Sequence, residues 1–360
     1  MDSPSEIRNV PAKHDPYAAL RVKGFRWFMV SLWTMTLSSQ IQGLVVAWQV
    51  YSYTHEPLSL GLVGLAEALP FISAALFAGH VADRFSRKRI AVLSLAVLVI
   101  CSATFLIFTF SGDVVGPGRV WPIYLVIFVS GIARSFAKPA STALSADLVP
   151  RQLYATAVAW RTSSWQSAAV IGPAAGGILY GFGSARLAYA ADTALMLIAL
   201  MAFAMIAHVH VPDRSRTLPI RESLAVGLRF VWSQPIILGA LTLDLFSVLF
   251  GGAVALLPVF ASDILHVGPQ GLGMLRAAPA IGSVLMGLIL AHRRPLEQAG
   301  TALFGCVALF GLSMIAFGLS RSFVLSVVLL AFSGMVDNVS IVVRSTLLQT
   351  MTPADMFGRV

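Results

Sequence analysis

Charged residues are scarce in this chain. Asp, Glu, Lys and Arg together make up 11% of its 360 residues, whereas hydrophobic residues make up 57%. Soluble domains hold roughly 25% charged residues, so this composition excludes a soluble globular protein and predicts that most of the chain contacts lipid. The net charge of +9 does not indicate nucleic acid as a partner, because no basic stripe with interleaved aromatic residues occurs outside the apolar runs.

The sequence also has few residues of the kinds that build cofactor or metal sites. Its two cysteines, Cys101 and Cys306, each lie in the middle of an apolar run, where packing explains them more simply than a disulfide or a metal pair. It has no His-Glu-x-x-His spacing and no nucleophile–base pair that stands out, so we predict no enzyme, no cofactor and no metal. It also has no Gly-x-x-x-x-Gly-Lys-[Ser/Thr] motif, which leaves an ATP-driven permease open only with a separate ATPase subunit.

Ten apolar runs are each long enough to cross a bilayer, which takes about 20 mostly apolar residues. A long polar stretch separates the first six runs from the last four, which predicts an all-α integral membrane protein with two bundles. The runs lie at residues 27–50, 58–82, 90–110, 121–146, 156–181, 187–207, 236–261, 270–291, 299–319 and 322–349. The expected parts are an N-terminal segment 1–26, a bundle 27–207, an inter-bundle loop 208–235 and a second bundle 236–360.

The distribution of Lys and Arg predicts how the chain is oriented. Most of these residues outside the spans lie in segments on the side of the N-terminus, and the opposite loops hold only Arg119, Arg186 and Arg321. The positive-inside rule therefore places the N-terminus in the cytoplasm. Residues 1–26 lack a secretory signal, which agrees with that orientation. We expect a multi-pass protein in the inner (plasma) membrane of a bacterium.

An internal repeat relates the two predicted bundles. The segment GLAEALP, residues 64–70, aligns with GMLRAAP, residues 273–279. The segment at residues 130–157, which begins SGIARSF, aligns with the segment at residues 333–360, which begins SGMVDNV. The two matches occur in the same order at nearly the same spacing. Two parallel halves joined by a long loop are the layout of one large transporter class. By symmetry two more helices would follow Val360, so we expect about ten of twelve helices in this chain.

The stretch GHVADRFSRKRI, residues 79–90, concentrates charge in one short connection. It resembles the cytoplasmic signature between the second and third helices of the major facilitator superfamily, with Ser86 in place of the expected glycine. Segments such as WQVYSYTHEPLSLGLVG resemble the branch with bacterial enterobactin exporters and drug-efflux proteins. The resemblance implies two pseudo-symmetric six-helix halves and a latch that biases which face is open; the alternative is that these charges only fix topology. The matching residues are Gly79, Asp83, Arg84, Arg87 and Lys88.

A second motif lies in the fifth run, in AAVIGPAAGGIL, residues 168–179. It resembles the Gly-Pro-x-x-Gly-Gly signature of facilitator antiporters, which favours export. Proline bends a membrane helix and glycine lets a neighbouring helix approach, so pure packing is the alternative reading. The motif residues are Gly172, Pro173, Gly176 and Gly177.

Ionisable residues inside the predicted spans are candidates for proton coupling, because they are expensive in hydrocarbon unless they face a cavity or a partner. The repeat matches Glu67 with Arg276 and Arg134 with Asp337, so opposite charges could form static ties between the halves; otherwise one acid carries a proton. As carriers we rank Asp337 first, then Asp244 and Glu67, with Arg134 as the residue that tunes them. The role of Asp192, near the outer end of the sixth run, stays open. The expected coupling or cavity charges are Asp337, Asp244, Glu67, Arg134 and Arg276.

The first helix of each bundle should line a central cavity. Gln40 and Gln42 offer hydrogen bonds and Trp48 an aromatic face, while the seventh run is apolar. A largely apolar cavity with few polar anchors fits a small amphipathic organic compound, such as a siderophore or a drug, better than a sugar. We predict a monomeric proton antiporter that exports such a compound. A facilitator-type importer or uniporter of a small metabolite is the alternative, because the fold does not set the direction.

Overall fold

The computed structural model describes residues 15–111, 114–207, 229, 231–292 and 299–351, which are mostly helical. Most of the predicted inter-bundle loop, and the last nine residues of the chain, lie outside these ranges. The helices of the first bundle are α1 (Ala18–Arg21), α2 (Lys23–Thr54), α3 (Pro57–Arg84), α4 (Arg87–Phe108), α5 (Trp121–Asp147) and α6 (Tyr154–Ala204). Those of the second are α7 (Pro235–Phe250), α8 (residues 253–264), α9 (Gly268–Ala291), α10 (Ala299–Leu319) and α11 (Phe323–Met351).

Helix boundaries follow from local residue chemistry. α2 ends at His55, whose left-handed backbone (φ 51°) stops the helix, and α3 starts again at once with Pro57 in its first turn. Proline suits that position because N–H groups in the first turn of a helix form no hydrogen bond within the helix, so the N–H that proline lacks is not missed. The connection between α3 and α4 is equally short, since only Phe85 and Ser86 separate them. Short connections of this kind make consecutive helices antiparallel neighbours.

The fifth and sixth predicted spans form one helix that folds back on itself. α6 runs from Tyr154 to Ala204 with a single non-helical residue, Ser184 (φ 67°, ψ 179°). We call residues 154–183 the first arm and residues 185–204 the second arm. Both arms pack against α2, so the chain reverses direction at Ser184, where the sequence predicted a longer connection.

The seventh predicted span is interrupted. α7 ends at Phe250, and α8 begins at Ala253 and combines 3₁₀, α and π turns up to Ile264. Gly251 and Gly252 fill the break, and glycine carries the backbone through such an interruption because it lacks a Cβ. Among the described residues, seven helices are long and apolar enough to cross a membrane by length and composition, and residues 235–247 and 254–264 form shorter apolar helices.

Large apolar side chains cover the outside of the bundles. Leu58, Phe182 and Leu319 are each more than two thirds exposed. An apolar surface of this extent is the one that lipid requires, and in water it would promote aggregation. The surface therefore agrees with the multi-pass membrane protein predicted from composition.

Equivalent packing in the two bundles shows the pseudo-symmetry. A Cβ placed on Gly131 of α5 would lie 2.8 Å from the Pro70 ring of α3. In the second bundle Gly334 of α11 approaches Pro279 of α9 so closely that a Cβ would collide with its backbone. These are the pairs that the sequence repeat matches, so each half contains the same glycine-on-proline helix contact. The prediction of two pseudo-symmetric halves is confirmed.

We call the end with the connections at residues 55–56 and 265–267 the outer end, and the end with residues 85–86 and 148–150 the inner end. The names follow the orientation predicted from Lys and Arg.

Candidate transport site

A cavity of about 270 Å³ lies between the two halves. The first half contributes residues of α2, α3 and α5, and the second half contributes residues of α8 and α9. Much of the wall is apolar, and its charged and strongly polar side chains are few. They include Gln42, Glu67, Arg134 and Arg276, and Gly43 also lines the wall.

A polar network of the first half reaches this cavity. Arg134 of α5 forms an ion pair with Glu67 of α3, and its second terminal nitrogen donates to Oε1 of Gln42 at 3.2 Å. Gln42 belongs to α2, so three helices are joined at one depth. The sequence predicted all three residues as site residues, and the structure brings them together at the cavity wall.

Gln42 also connects the network to a carboxylate whose role the sequence left open. Nε2 of Gln42 donates to Oδ2 of Asp192 and to Oγ of Ser102, both at 3.2 Å, and the Ser38 hydroxyl donates to the other carboxylate oxygen of Asp192. Asp192 is completely buried. Its partners Ser38 and Gln42 lie near the middle of α2, so Asp192 is deep in the bundle and not near its outer end.

Arg276 extends from the second half towards the first. Its Nη2 would lie 3.1 Å from a Cβ placed on Gly43 of α2, so the missing side chain at Gly43 leaves room for the guanidinium. Glu67 is the carboxylate whose field acts on Arg276. Among the described residues, however, the ion pair of Glu67 is with Arg134. Two guanidinium groups and one carboxylate thus border the cavity.

The predicted charges of the second half form a separate cluster. Arg344 of α11 forms an ion pair with Asp244 of α7, and Asp337 lies within electrostatic range of both. Asp337 is half-buried, and its field acts on Cys306 of α10. The sequence raised the possibility of static ties between the halves through matched charges. In the described residues the ion pairs Arg134–Glu67 and Arg344–Asp244 each form within one half, because α3 packs on α5 and α11 on α7. Of the site charges predicted from the sequence, only Arg276 extends into the other half.

The other two predicted cavity residues lie elsewhere in the structure. Gln40 packs against the first arm of α6, where a Cβ on Gly172 would lie 2.5 Å from its Cβ. Trp48 is half-buried and packs against an apolar cluster to which both halves contribute. Of the three, only Gln42 lines the cavity described above.

The antiporter-like motif lies where the halves meet. Gly172 and Gly176 face α2, whereas Gly177 faces α9: a Cβ on Gly177 would lie 2.6 Å from the backbone oxygen of Pro269. Gly273 of α9 approaches the first arm in the same way, since its Cβ would lie 2.6 Å from the oxygen of Pro173. Glycine on both helices therefore permits backbone contact between the halves near the outer end.

A polar contact closes the outer end beyond this helix crossing. The Tyr51 hydroxyl of α2 donates to the carboxylate of Asp263 in α8, which joins the first half to the second. His55 and His266 act electrostatically on the same carboxylate, and each has a left-handed backbone (φ 51°) in a connection that follows a helix. No motif in the sequence points to this contact, because its partners are 212 residues apart.

Removing the Tyr51 hydroxyl should weaken the closure of the outer end. We expect Tyr51→Phe to raise the population with an open outer end several-fold, because a hydrogen bond to a carboxylate is lost in the closed state only. Spin labels at Leu58→Cys and Val324→Cys, in a background without Cys101 and Cys306, would report the distance by pulsed electron paramagnetic resonance. Tyr53→Phe is the matched control, because Tyr53 accepts its hydrogen bond from Gln49 on the same helix. Equal distance distributions in the two variants would contradict the assignment.

At the inner end, the charged signature lies at the junction of α3 and α4. Arg87 donates from Nη1 to Oδ2 of Asp147 at 2.8 Å, which connects the start of α4 to the end of α5. Lys88 is half-buried. Gly79, Asp83 and Arg84 belong to the last turns of α3, but the structure does not describe their side chains, so the latch role of this signature stays a prediction. The motif in the sequence does not indicate that Asp147 is the partner of Arg87.

Comparison with known proteins identifies the family. The sequence profile of the Major Facilitator Superfamily matches residues 28–360. This chain belongs to the Major Facilitator Superfamily. As a member of that superfamily it is a membrane transporter and not an enzyme, which confirms the fold and the transporter class predicted from the sequence.

Individual members of the superfamily resemble the chain over most of its length. The enterobactin exporter EntS of Shigella flexneri is 28% identical over 341 residues, covering 93% of this chain and 79% of the relative, and EntS of Escherichia coli O139:H28 has the same values. A bacterial homologue of the human lysosomal transporter Spinster, solved inward-facing and unoccupied, superposes with a TM-score of 0.68 at 15% identity, covering 96% of this chain and 78% of that one. The POT family transporter PepTSo gives 0.59 at 11% identity, covering 94% of each chain. At 15% and 11% identity, these two solved structures show only that they and this chain have the same fold.

Proposed function

We propose that this transporter exports a small amphipathic organic compound by proton antiport, with its two halves rocking about the central cavity. The observation that carries the proposal is the cavity, because both halves supply its wall and charged groups from both halves meet there. A binding site between two pseudo-symmetric halves is what alternating access requires. The resemblance to enterobactin exporters supports the outward direction and the siderophore-like or drug-like substrate class.

The chemistry of the wall supports an amphipathic substrate that bears an acidic group. Leu60, Val63 and Ile127 give the wall its apolar area, which suits an organic ring system. Glu67 balances one of the two arginines, so the cavity keeps a surplus positive charge at Arg276. A negatively charged group on the substrate would be the complement of that charge.

For proton carriage we retain Asp337 as the first candidate, ahead of Asp244 and Glu67. Asp244 and Glu67 are each held in an ion pair by an arginine, Arg344 and Arg134 respectively. Asp337 has no ion pair among the described residues and lies beside the Asp244 and Arg344 pair. A carboxylate that reaches water in one conformation of the transporter and lies beside the Asp244–Arg344 ion pair in the other is suited to binding and releasing a proton.

The remaining parts of the proposal follow from the sequence. We place the protein as a monomer in a bacterial inner membrane with a cytoplasmic N-terminus, and keep the boundaries 1–26, 27–207, 208–235 and 236–360. The charged signature at the inner end acts as a latch, with Asp83 as its acidic member.

Transport assays test the function and its direction. The full-length protein is reconstituted in liposomes, and efflux of siderophores and amphipathic dyes is followed after a pH gradient is imposed. Export of a compound against its gradient, driven by inward proton flow and absent from empty liposomes, is the expected result. Movement that only dissipates a substrate gradient would support a uniporter, and accumulation along with protons would support an importer.

The surplus charge of Arg276 gives a prediction about substrate charge. We expect Arg276→Gln to weaken binding of 2-naphthoate roughly tenfold, because a charge-assisted hydrogen bond is lost, while binding of the neutral 2-naphthamide changes little. Equilibrium binding to the purified protein provides the measurement, and the amide also reports that the variant is folded.

Two glycine variants provide a matched control for Arg276. Gly43→Ala places a methyl group beside the guanidinium and should also weaken 2-naphthoate binding, whereas Gly64→Ala lines the same cavity but meets nothing within 4 Å. An equal loss for the acid and the amide in Arg276→Gln would contradict an acidic substrate group.

A further inference from the structure

Asp192 is a buried carboxyl group that the transport scheme above does not use. It lies on the second arm of α6 with no exposed surface, and it faces α2 and α4. Two hydrogen bonds reach it, both from neutral groups: the Ser38 hydroxyl and Nε2 of Gln42 at 3.2 Å. On the α4 side, the Ser102 hydroxyl oxygen accepts from the same Gln42 nitrogen at 3.2 Å. A buried carboxyl group in a membrane protein is a functional candidate by default, since hydrocarbon penalises it.

The charged and titratable groups around Asp192 do not neutralise it by direct contact. Arg134 of α5 acts on Asp192 through its field, but its ion pair is with Glu67. Tyr189, one turn earlier on the same arm, donates its hydroxyl to Gln49 at 2.8 Å. Among the described residues, no lysine, arginine or histidine forms an ion pair with Asp192. A buried charge without a paired cation is expensive, and binding a proton removes that charge.

The side chain of Gln42 lies between Asp192 and the cavity. Its amide nitrogen donates to Asp192, its amide oxygen accepts from Arg134 at 3.2 Å, and its side chain lines the cavity wall. The orientation of one amide group is therefore set by a buried acid on one side and by the cavity's ion pair on the other. A change at Asp192 is transmitted to the cavity if it changes the bond to Gln42.

We propose that Asp192 is a proton-binding positioning residue, which acts through Gln42 to set the affinity of the cavity for its substrate. The inference deepens the proposed antiport by adding a site where a proton and the substrate exclude each other. The charged form of Asp192 holds Gln42 as the structure shows it, and that arrangement also anchors Arg134 at the wall.

The protonation step changes one hydrogen bond and needs only a proton from cavity water. The proton forms an O–H bond with Oδ2 of Asp192, and the N–H···O bond from Gln42 to that oxygen breaks. The amide nitrogen of Gln42 cannot accept the new O–H, whereas the Ser102 hydroxyl oxygen can. Gln42 is then free to rotate, Arg134 loses its hydrogen bond to Gln42, and the polar wall of the cavity loses its order. Protonated Asp192 therefore lowers substrate affinity, which is the sign that antiport requires.

The test measures binding as a function of pH without any gradient. Equilibrium binding of neutral 2-naphthamide to the full-length protein in nanodiscs avoids a change of ligand charge. In the wild type we expect affinity to fall roughly tenfold from mildly alkaline to mildly acidic pH, the loss of one charge-assisted hydrogen bond. Asp192→Asn cannot bind a proton and should show weak, pH-independent binding. A wild-type pH profile in Asp192→Asn would overturn the proposal.

Two further variants separate proton binding from a purely structural role. Ser38→Ala removes one hydrogen bond to Asp192 but keeps the acid, so the pH dependence should remain. Gln42→Leu keeps Asp192 but cuts the connection to Arg134, so the pH dependence should vanish. Retention of the pH dependence in Gln42→Leu would show that Asp192 does not act through Gln42.

An infrared measurement on folded wild-type protein keeps the proposal falsifiable if Asp192→Asn does not fold. Acid titration should produce a carboxylic acid band that shifts in Ser38→Ala, because Ser38 bonds to Asp192. The absence of any band sensitive to Ser38 would overturn the proposal. None of these measurements needs transport, so a failure to detect export would count against the proposed function and not against the proton site.

Discussion

Replacing Asp337 by asparagine should abolish efflux driven by a pH gradient, while substrate binding stays within a few-fold of the wild type. Asparagine has nearly the shape of aspartic acid, so the packing of α11 is preserved, but it cannot bind and release a proton. The cycle of an antiporter then stops at the step in which the empty carrier returns with its proton. Loss of that step lowers gradient-driven efflux to the level of empty liposomes.

Exchange measurements make the test of Asp337 specific. Exchange of labelled for unlabelled substrate across the membrane needs no proton step, so the Asp337→Asn variant should retain it. Glu56→Gln is the matched control, because Glu56 is an exposed acid in the connection between α2 and α3 and should leave both activities unchanged. Wild-type efflux in Asp337→Asn would exclude Asp337 as the carrier and would move the test to Asp244 or Glu67.

The sequence predicted the helical framework because that framework depends on local composition. Apolar runs of sufficient length mark helices in lipid wherever they occur, and each of the ten predicted runs coincides with helical structure. The connections were less predictable. The chain reverses at the single residue Ser184 because both arms of α6 pack on α2. These contacts join residues that are distant in the sequence, so the sequence does not show whether the connection is one residue long or several.

Pairing between side chains was the part that the sequence could not determine. The repeat aligned Glu67 with Arg276 and Arg134 with Asp337, but alignment only says which positions are equivalent. Equivalent positions in a pseudo-symmetric pair of bundles face neighbours within their own half. The contact between α3 and α5 therefore joins Glu67 to Arg134, and the reach of Arg276 into the other half depends on the missing side chain at Gly43.

Asp192 illustrates the same limit for a single residue. Its position in a run fixes its depth only roughly and does not fix which side of the helix faces the core. Ser38, the residue that bonds to it, is 154 positions away, and no local pattern marks the two as partners. A useful signal was present nonetheless: an acid within an apolar run has to find polar neighbours, and Ser38 and Gln42 are polar positions one turn apart on one face of α2.

Alanine at Gly177 or Gly273 should stall transport by preventing closure of the outer end. In either variant the new Cβ would lie 2.6 Å from a backbone oxygen of the opposing helix, a separation that side-chain rotation cannot relieve. Overpacking of this kind costs about 1–3 kcal/mol. The contact joins the two halves and is lost when the outer end opens, so the penalty falls on the closed state alone and shifts the population roughly tenfold or more towards the open state.

The matched control for these variants is Gly61→Ala on α3, where the added Cβ meets nothing within 4 Å. Alanine favours a helix over glycine by about 1 kcal/mol, so all three variants should fold at least as readily as the wild type, and only Gly177→Ala and Gly273→Ala should lose transport. Pulsed distance measurements across the outer end should lengthen in the same two variants. If the glycines serve only packing within one half, transport and distances in the two variants will match those of Gly61→Ala. A loss of transport in these two variants alone would mean that the antiporter-like motif works by letting the backbones of the two halves touch.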